Sequence, residues 1–171
     1  MEKQEMVDVV DANDNVLYAV TKEEAHRKGY LHRTVIAELK NKNNEWILVK
    51  QAPDRQDKGL YVSPVGGHVR SGETLEDALK REVLEEIGIT DFTYTYIDKA
   101  VFYREVLGRK ENHLFILFEV FSDNDIRLNG ESVGYKHFTT QQLKKELREN
   151  PEKFGKAFHF VVRTFYSNLL G

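Results

Sequence analysis

The chain has 171 residues, of which 40% are hydrophobic and none is cysteine, and its formal net charge is −3. A chain of this length builds one packed core and is short for two, so we expect a single domain spanning residues 1–171. The lack of cysteine excludes a disulfide framework, a thiolate metal site and a cysteine nucleophile. The net charge gives no general attraction to nucleic acid polymers or anionic membranes, so any phosphate recognition must be local, and small phosphorylated substrates remain compatible.

The first six residues have no apolar core of the kind found in a signal peptide, and nowhere are 18 consecutive residues apolar. Neither a cleaved leader nor a transmembrane helix is predicted. We therefore expect a soluble protein of the cytoplasm that has no membrane partner.

In chain order, the predicted elements are mostly short strands with few helices between them. A polar turn at residues 11–15 separates the first two strands, and Thr21 begins a short helix as its cap. The predicted strands lie at residues 6–10, 16–20, 32–39, 46–51, 93–104, 112–122 and 135–138. The later predicted helices cover residues 74–87, 140–148 and about 151–170. Runs of strands with few helices favour an α+β fold over a parallel doubly wound sheet.

The last predicted helix carries an apolar stripe at helical spacing. Such a stripe packs most often into the core of its own chain or against a second subunit, so a homodimer through this helix stays open as an alternative. The residues of the stripe are Phe154, Phe158, Val161, Val162, Phe165, Tyr166 and Leu169.

The helix at residues 74–87 carries three carboxylates on one side. At about 100° per residue, Glu82, Glu85 and Glu86 fall within an arc of roughly 100°, beside an apolar stripe. Like charges three or four residues apart destabilise a helix by roughly 0.2–0.5 kcal/mol per pair. Two of these carboxylates also lie at the negative end of the helix dipole. This crowding indicates that a cation binds here.

Residues 67–89 resemble the signature of the Nudix hydrolase family. That signature is a glycine, five residues, Glu, seven residues and then Arg-Glu-aliphatic-x-Glu-Glu-x-Gly-aliphatic, and every fixed position is filled. The resemblance implies an α+β fold, with a mixed β-sheet sandwiched between helices and the signature helix lying against the sheet. It also implies hydrolysis of a diphosphate bond with Mg²⁺ or Mn²⁺ as the cofactor. A solvated acidic helix is the alternative, but it does not explain the glycine spacing.

The resemblance implies a set of metal ligands. Glu82, Glu85 and Glu86 would hold the divalent ions together with a carbonyl oxygen from the glycine loop. Hard cations prefer such oxygen ligands, and Gly66 and Gly67 have no side chain to block the approach of a cation to their carbonyl groups.

The resemblance also implies how the catalytic group is arranged. Arg81 is expected to orient Glu82 without touching the substrate, and Glu73 to fix the loop to the helix. A purely structural Arg–Glu pair is the alternative. The general base is left open: Glu82 leads, and Glu111 and Glu131 are outside candidates.

A second resemblance covers nearly the whole chain. His26, His32 and His68 occur in a pattern similar to the branch of the family that is related to isopentenyl diphosphate isomerase. In that isomerase, the three matching histidines and two glutamates bind a metal, and the matching glutamate positions here are Glu111 and His113. The resemblance therefore predicts a second metal site from these five residues, since imidazole is a good ligand for transition metals. Separate, hydrogen-bonded structural histidines are the alternative.

Three functions compete at this point. The leading prediction is a metal-dependent pyrophosphohydrolase that cleaves a nucleoside diphosphate linked to another moiety. An isomerase-like enzyme acting on a prenyl diphosphate is the first alternative, and it lacks the cysteine that the isomerase needs, with Ser63 and Val65 near its place. The second alternative is a module that binds a diphosphate ligand without catalysis, for which a degraded signature would be expected.

Overall fold

The structure is a computed structural model that describes residues 4–171. The prediction that the first six residues form no signal peptide therefore lies partly outside the described residues. Within the described part of the chain, no helix has the length and apolar character needed to cross a membrane.

Residues 4–171 form nine strands and four α-helices. Their bounds in chain order are β1 (Met6–Val10), β2 (Val16–Thr21), α1 (Lys22–Lys28), β3 (His32–Lys40), β4 (Trp46–Gln51), β5 (Tyr61–Val62), β6 (Val65–His68), α2 (Leu75–Ile87), β7 (Thr93–Val106), β8 (Arg109–Phe121), β9 (Ser132–Phe138), α3 (Thr140–Glu149) and α4 (Lys156–Phe165).

Strand β3 organises the sheet. It runs parallel to β8 along its whole length, with His32 opposite His113 and Lys40 opposite Phe121. It is antiparallel to β6, in which Gly66 lies opposite Ile36. Strands β1 and β4 pair with its two ends, and β2, β5, β7 and β9 extend the sheet outward. The sheet is therefore mixed, and β6 lies beside its most buried strand.

The two faces of the sheet bury two separate apolar cores. Helix α2 covers one face with Leu79, Val83 and Ile87, each fully buried. Helices α3 and α4 cover the other face, where Phe158 of α4 is also buried. The prediction of an α+β fold with a mixed sheet sandwiched between helices is confirmed. Six of the seven C-terminal stripe residues are buried within the chain, so the stripe serves as core, and a homodimer stays a prediction.

The prediction of one continuous helix over residues 151–170 is wrong. Residues Pro151–Lys153 form a 3-10 turn, and α4 begins only after Gly155. The backbone N–H of Gly155 donates to the Tyr61 carbonyl oxygen at 2.9 Å, which ties this point to β5. A Cβ on Gly155 would lie 2.7 Å from Cγ1 of Val62, so the chain passes too close to β5 for a helix to continue through it.

The β7–β8 hairpin is longer than predicted. Its strands continue to Val106 and from Arg109, and only Leu107 and Gly108 form the turn. Both turn residues have positive φ (51° and 75°), which is the backbone of the tight hairpin turn that matches strand twist. In the longer hairpin, Arg104, Arg109 and Glu111 line one cavity.

Candidate active site and metal centres

Local hydrogen bonds hold the glycine loop between β6 and α2. Helix α2 begins after Thr74, whose side chain accepts a hydrogen bond from the N–H of Asp77, and it ends at Gly88, where φ is 70°. Before the helix, Glu73 accepts a hydrogen bond from the N–H of Arg70 at 3.0 Å. These contacts fix the start of α2 relative to the loop, so the carboxylates further along the helix have set directions.

The guanidinium of Arg81 joins the loop to the helix. Its Nε and Nη2 donate to the two carboxylate oxygens of Glu73 at 2.8 and 2.9 Å. Its Nη2 also donates to the carbonyl oxygen of His68 at 2.9 Å, and its Nη1 donates to Oε1 of Glu82 at 2.6 Å. The hydrogen bonds from Arg81 lower the pKa of Glu73 below its usual value. Arg81 is thus surrounded by protein acceptors, an arrangement suited to orienting Glu82.

Strand β6 approaches two carboxylates of α2 very closely. A Cβ on Gly67 would overlap the carboxylate of Glu82, so only glycine permits this approach. The backbone N–H of Gly66 donates to Oε2 of Glu86 at 2.8 Å. Glu85 is more exposed and lies 3.5 Å from Nη1 of Arg81. We call Glu82, Glu85 and Glu86 the glutamate group.

The glutamate group fits a hard divalent cation. Desolvation, only partly offset by Arg81, raises the pKa of Glu82 to about 7. Desolvation and the neighbouring Glu82 charge raise the pKa of Glu86 well above its usual value. A divalent cation would relieve the repulsion between these charges and favour their ionised forms. Oxygen donors on neighbouring helical turns, beside a strand with no side chain at Gly67, are the donor set that Mg²⁺ and Mn²⁺ prefer.

Four histidines from four different elements meet close to the glycine loop. His26 comes from α1, His32 from β3, His68 from β6 and His113 from β8, and one nitrogen of each lies within 4.8 Å of one nitrogen of every other. Nε2 of His26 is 3.2 Å from Nε2 of His68 and 3.3 Å from Nε2 of His113. Because side chains alternate along a strand, His68 points away from the face of β6 that meets Glu82. We call these four residues the histidine group.

The surroundings of the histidine group favour the neutral form of each imidazole ring. Burial is the first cause that lowers the pKa of each ring, to about 4 for His26 and well below the usual value for His68 and His113. Nδ1 of His32 lies 2.8 Å from the carbonyl oxygen of Tyr30. Since a carbonyl oxygen only accepts, Nδ1 carries the proton and Nε2 carries the lone pair. That buried Nε2 has no hydrogen-bond partner among residues 4–171.

Glu111, the fifth residue predicted for this site, lies outside the group of four. Its Oε1 accepts a hydrogen bond from Nε of Arg104 at 2.8 Å, and its Oε2 accepts one from Nη2 of Arg109 at 2.9 Å. Arg104 also lies 3.5 Å from Asp57. The other outside candidate for the general base, Glu131, lies 3.6 Å from the guanidinium of Arg55.

A cavity of about 520 Å³ connects the two groups. All three carboxylates of the glutamate group line it, as do His26, His68 and His113. Apolar residues also line the cavity, among them Ile36, Val62, Phe102, Phe115, Ala157 and Phe158. The cavity thus offers oxygen ligands, nitrogen ligands and an apolar surface to one molecule.

Sequence reasoning missed a buried carboxyl below this cavity. Glu38 is fully buried in β3, and its Oε1 accepts a hydrogen bond from the hydroxyl of Ser63, which lines the cavity. Burial raises the pKa of Glu38 to about 7. A signal was present in the sequence, because Glu38 interrupts the apolar run from Val35 to Leu39.

Comparison with known proteins agrees with the signature helix. The family model of the NUDIX domain matches residues 30–158, which is well over half of the chain. The chain belongs to the Nudix family. Nudix hydrolases act on diphosphate bonds and generally use divalent metal ions such as Mg²⁺ or Mn²⁺, so the prediction of a diphosphate-bond hydrolase is confirmed at the level of the family.

The chain is similar to relatives of two kinds. The chain is 31% identical to isopentenyl-diphosphate Delta-isomerase 2 of Photorhabdus laumondii, over 92% of this chain and 90% of that protein. It is 32% identical to the nucleoside triphosphatase NudI of Escherichia coli, over 65% of this chain and 84% of that protein. Among solved structures, DR0079 of Deinococcus radiodurans shares the fold with a TM-score of 0.73 and 22% identity, over 93% of this chain and 98% of that one.

Proposed function

We propose that this Nudix enzyme hydrolyses a nucleoside diphosphate linked to another moiety, with Mg²⁺ or Mn²⁺ held by the glutamate group. One observation carries the proposal: Glu82 and Glu86 are packed against Gly66 and Gly67 so closely that a side chain at Gly67 would overlap the Glu82 carboxylate. Crowded carboxylates that face two glycines have a physical reason if a cation and a diphosphate bind there.

The residues of the group have distinct proposed roles. Glu82, Glu85 and Glu86 bind the ion together with a carbonyl oxygen of Gly66 or Gly67. When bound, the divalent ion supplies charge neutralisation at the diphosphate and makes water a better nucleophile. The remaining tasks are to hold these ligands in place and to accept the proton that water loses.

Glu82 is the best placed proton acceptor. Its Oε1 is bound to Arg81, which fixes the side chain and leaves Oε2 as the atom to receive the proton. Both oxygens of Glu111 accept hydrogen bonds from arginines, which makes Glu111 a poorer base. Arg81 and Glu73 act as positioning residues. Their mutual hydrogen bonds fix the loop relative to the helix, and thereby the position of the Glu82 carboxylate.

An isomerase acting on a prenyl diphosphate is the second candidate. Relatives named isopentenyl-diphosphate Delta-isomerase match almost the whole chain, and the histidine group lies where the resemblance to them predicts a metal. The chain has no cysteine, however, so it lacks the thiol that the isomerase uses for proton transfer. Hydrolysis is therefore the better supported reaction.

The test is a panel of nucleotide, sugar-nucleotide and prenyl diphosphates, each incubated with the full chain with and without Mg²⁺ or Mn²⁺. We expect metal-dependent release of a phosphate-containing product from a nucleotide-linked diphosphate and no conversion of isopentenyl diphosphate. Formation of dimethylallyl diphosphate would replace the hydrolase by the isomerase. Cleavage of prenyl diphosphates alone would keep the hydrolase and change its substrate class.

A further inference from the structure

Among the described residues, the buried carboxyl of Glu38 has a single hydrogen-bond partner, and that partner lines the cavity. Its Oε1 accepts from the hydroxyl of Ser63, and its Oε2 is buried with no partner among residues 4–171. Lys40 and Tyr166 lie close enough to interact with Glu38 electrostatically, yet they donate to Glu119 instead, at 3.3 and 2.9 Å. An incompletely paired carboxyl costs free energy in a protein interior, so its place beside the cavity calls for a functional reason.

One face of β3 supplies part of the cavity wall. Side chains alternate along a strand, so Thr34, Ile36 and Glu38 lie on the same face, with Thr34 and Glu38 about 13 Å apart along the strand. Thr34 and Ile36 line the cavity. Oγ1 of Thr34 is buried and, within the described part of the chain, makes no hydrogen bond. The cavity wall thus offers the hydroxyl groups of Thr34 and Ser63 to a ligand that can hydrogen-bond with them.

Apolar side chains also line this part of the cavity. Ile36, Phe115 and Phe158 belong to one apolar cluster, and Phe115 lies opposite Thr34 in the pairing of β3 with β8. A flat ring suits such a wall, because its faces are apolar while its edge carries a few hydrogen-bonding atoms. A prenyl chain would leave the hydroxyl groups of Thr34 and Ser63 facing hydrocarbon, which costs free energy. This part of the cavity therefore suits a nucleobase.

We propose that Ser63, oriented by Glu38, selects the base of the nucleotide by accepting a hydrogen bond from an exocyclic amine. The carboxylate takes the only hydrogen of the Ser63 hydroxyl, which leaves the oxygen lone pairs for a donor in the cavity. The amino group of adenine or cytosine supplies that donor, whereas the carbonyl oxygen of hypoxanthine or uracil would face those lone pairs. Glu38 acts through Ser63 and is a positioning residue. The inference rests on the proposed function, since it names the substrate class of the same cavity.

The protonation state of Glu38 decides which atom Ser63 presents to the ligand. When Glu38 is protonated, its O–H can donate to Ser63, and the hydrogen of the Ser63 hydroxyl is then able to turn towards the cavity. Burial raises the pKa of Glu38 to about 7, and the titratable groups that face it are Glu119, Lys40 and Tyr166. The preference for an amine should therefore be full well above pH 7 and fall as the pH is lowered through about 7.

The experiment compares matched bases on the full chain in the presence of Mg²⁺. We measure kcat/KM for ADP-glucose against IDP-glucose and for CDP-glucose against UDP-glucose, and the binding of the four nucleoside diphosphates by calorimetry. At about pH 8.5 we expect the amino base to be preferred by about 10-fold or more in at least one pair. Equal turnover of amino and keto bases in both pairs would overturn the inference and leave the hydrolase intact. Preferential binding of the amino base without turnover would keep the inference and overturn the hydrolysis, and failure of all four nucleoside diphosphates to bind would overturn the inference.

Variants then identify the residues that carry the preference. Ser63→Ala should bring the amino-to-keto ratio of kcat/KM close to one, while Ser122→Ala, at a serine that does not line the cavity, should keep the wild-type ratio. The wild-type ratio should fall by about 10-fold from about pH 8.5 to about pH 6, and that of Glu38→Gln should not change with pH. The titration of the glutamate group cancels in this ratio, because both bases are carried by the same diphosphate. A preference that persists in Ser63→Ala, or a wild-type ratio that is constant with pH, would overturn the roles of Ser63 and Glu38. The comparison of bases on the wild type tests the inference even where a variant does not fold.

Discussion

The glutamate group and the histidine group lie beside the same short strand, β6. Burial shifts the pKa values of the two groups in opposite directions. In the glutamate group, burial and the neighbouring carboxylates raise the pKa values of Glu82 and Glu86. The histidines are buried neutral rings whose pKa values are lowered by the same loss of water. A single guanidinium, that of Arg81, supports the first group, while hydrogen bonds to Tyr30 and among the rings support the second.

This difference means that the two groups suit different kinds of ion. The carboxylates carry the negative charge that favours binding of a hard divalent cation, and such a cation would in turn neutralise a diphosphate. The imidazoles carry none, so only an ion that prefers nitrogen gains much by entering. Alternation along β6 separates the two sets, because Gly67 faces Glu82 and His68 faces the other way.

The largest expected effect is on catalysis. Glu82→Gln should reduce turnover of an identified substrate by 10²-fold or more, at least about 2.7 kcal/mol in the barrier, the scale of losing a positioned catalytic or metal-binding group. Glu76→Gln, an exposed residue on the same helix, is the matched control and should keep wild-type turnover. Steady-state kinetics on both variants make the test. Wild-type turnover by Glu82→Gln would remove this residue from the mechanism.

The signature helix was predictable because its information is local. Thr74, the spacing of the carboxylates and Gly88 all act within four residues, and the observed caps agree with the predicted ends of the helix. The histidine group was predictable only through resemblance. Its members lie up to 87 residues apart in the sequence, and their convergence depends on the parallel pairing of β3 with β8, which no local pattern indicates.

The sequence alone did not indicate that Glu111 pairs with Arg104 and Arg109. This pairing depends on the hairpin of β7 and β8 continuing to Val106 and Arg109, which brings Arg104 opposite Glu111. The predicted strands stopped at residue 104 and began at residue 112, so this contact was missing from the prediction. The break of the last helix at Gly155 was missed for a similar reason, since β5 lies far away in sequence.

The second prediction concerns Glu38, a buried carboxyl with no guanidinium beside it, and its effect on how stability changes with pH. The pKa of Glu38 is about 7 in the folded protein against 4.5 in its usual state, and the groups around it are Ser63, Glu119, Lys40 and Tyr166. The folded state thus favours the protonated form. Below about pH 4.5 there is no penalty, and stability is lost as the pH rises from there through about 7.

Glu38→Gln removes this titration. Relative to the wild type, the variant should gain about 2 kcal/mol of unfolding free energy between about pH 5 and pH 8. Urea unfolding of both proteins in the presence of a chelator provides the comparison, because the glutamate and histidine groups titrate alike in both. A difference between the two proteins that does not change with pH would mean that Glu38 is ionised in the folded state throughout.

The third prediction concerns the close approach at β6. Gly67→Ala should lower activity by about 10-fold, near 1.4 kcal/mol in the barrier, because the new Cβ displaces the Glu82 carboxylate from its position. Gly134→Ala is the control, since this strand glycine has open space around its Cβ position. Kinetics and circular dichroism on both variants separate a displaced ligand from a misfolded strand. Full activity in Gly67→Ala would show that the position of Glu82 is not critical.

The smallest effect concerns the repulsion within the glutamate group. In metal-free protein, Glu86→Gln should be more stable than the wild type by about 0.2–0.5 kcal/mol, because one of the crowded charges is gone and the amide oxygen still accepts from Gly66. On adding Mg²⁺, the wild type should gain stability and the variant should gain much less, since ligand binding stabilises only the folded state that binds it. Thermal melting with and without Mg²⁺ measures both differences. A metal-free melting temperature well below that of the wild type would instead make Glu86 a structural residue, and the contrast with the histidine group would lose its basis in charge.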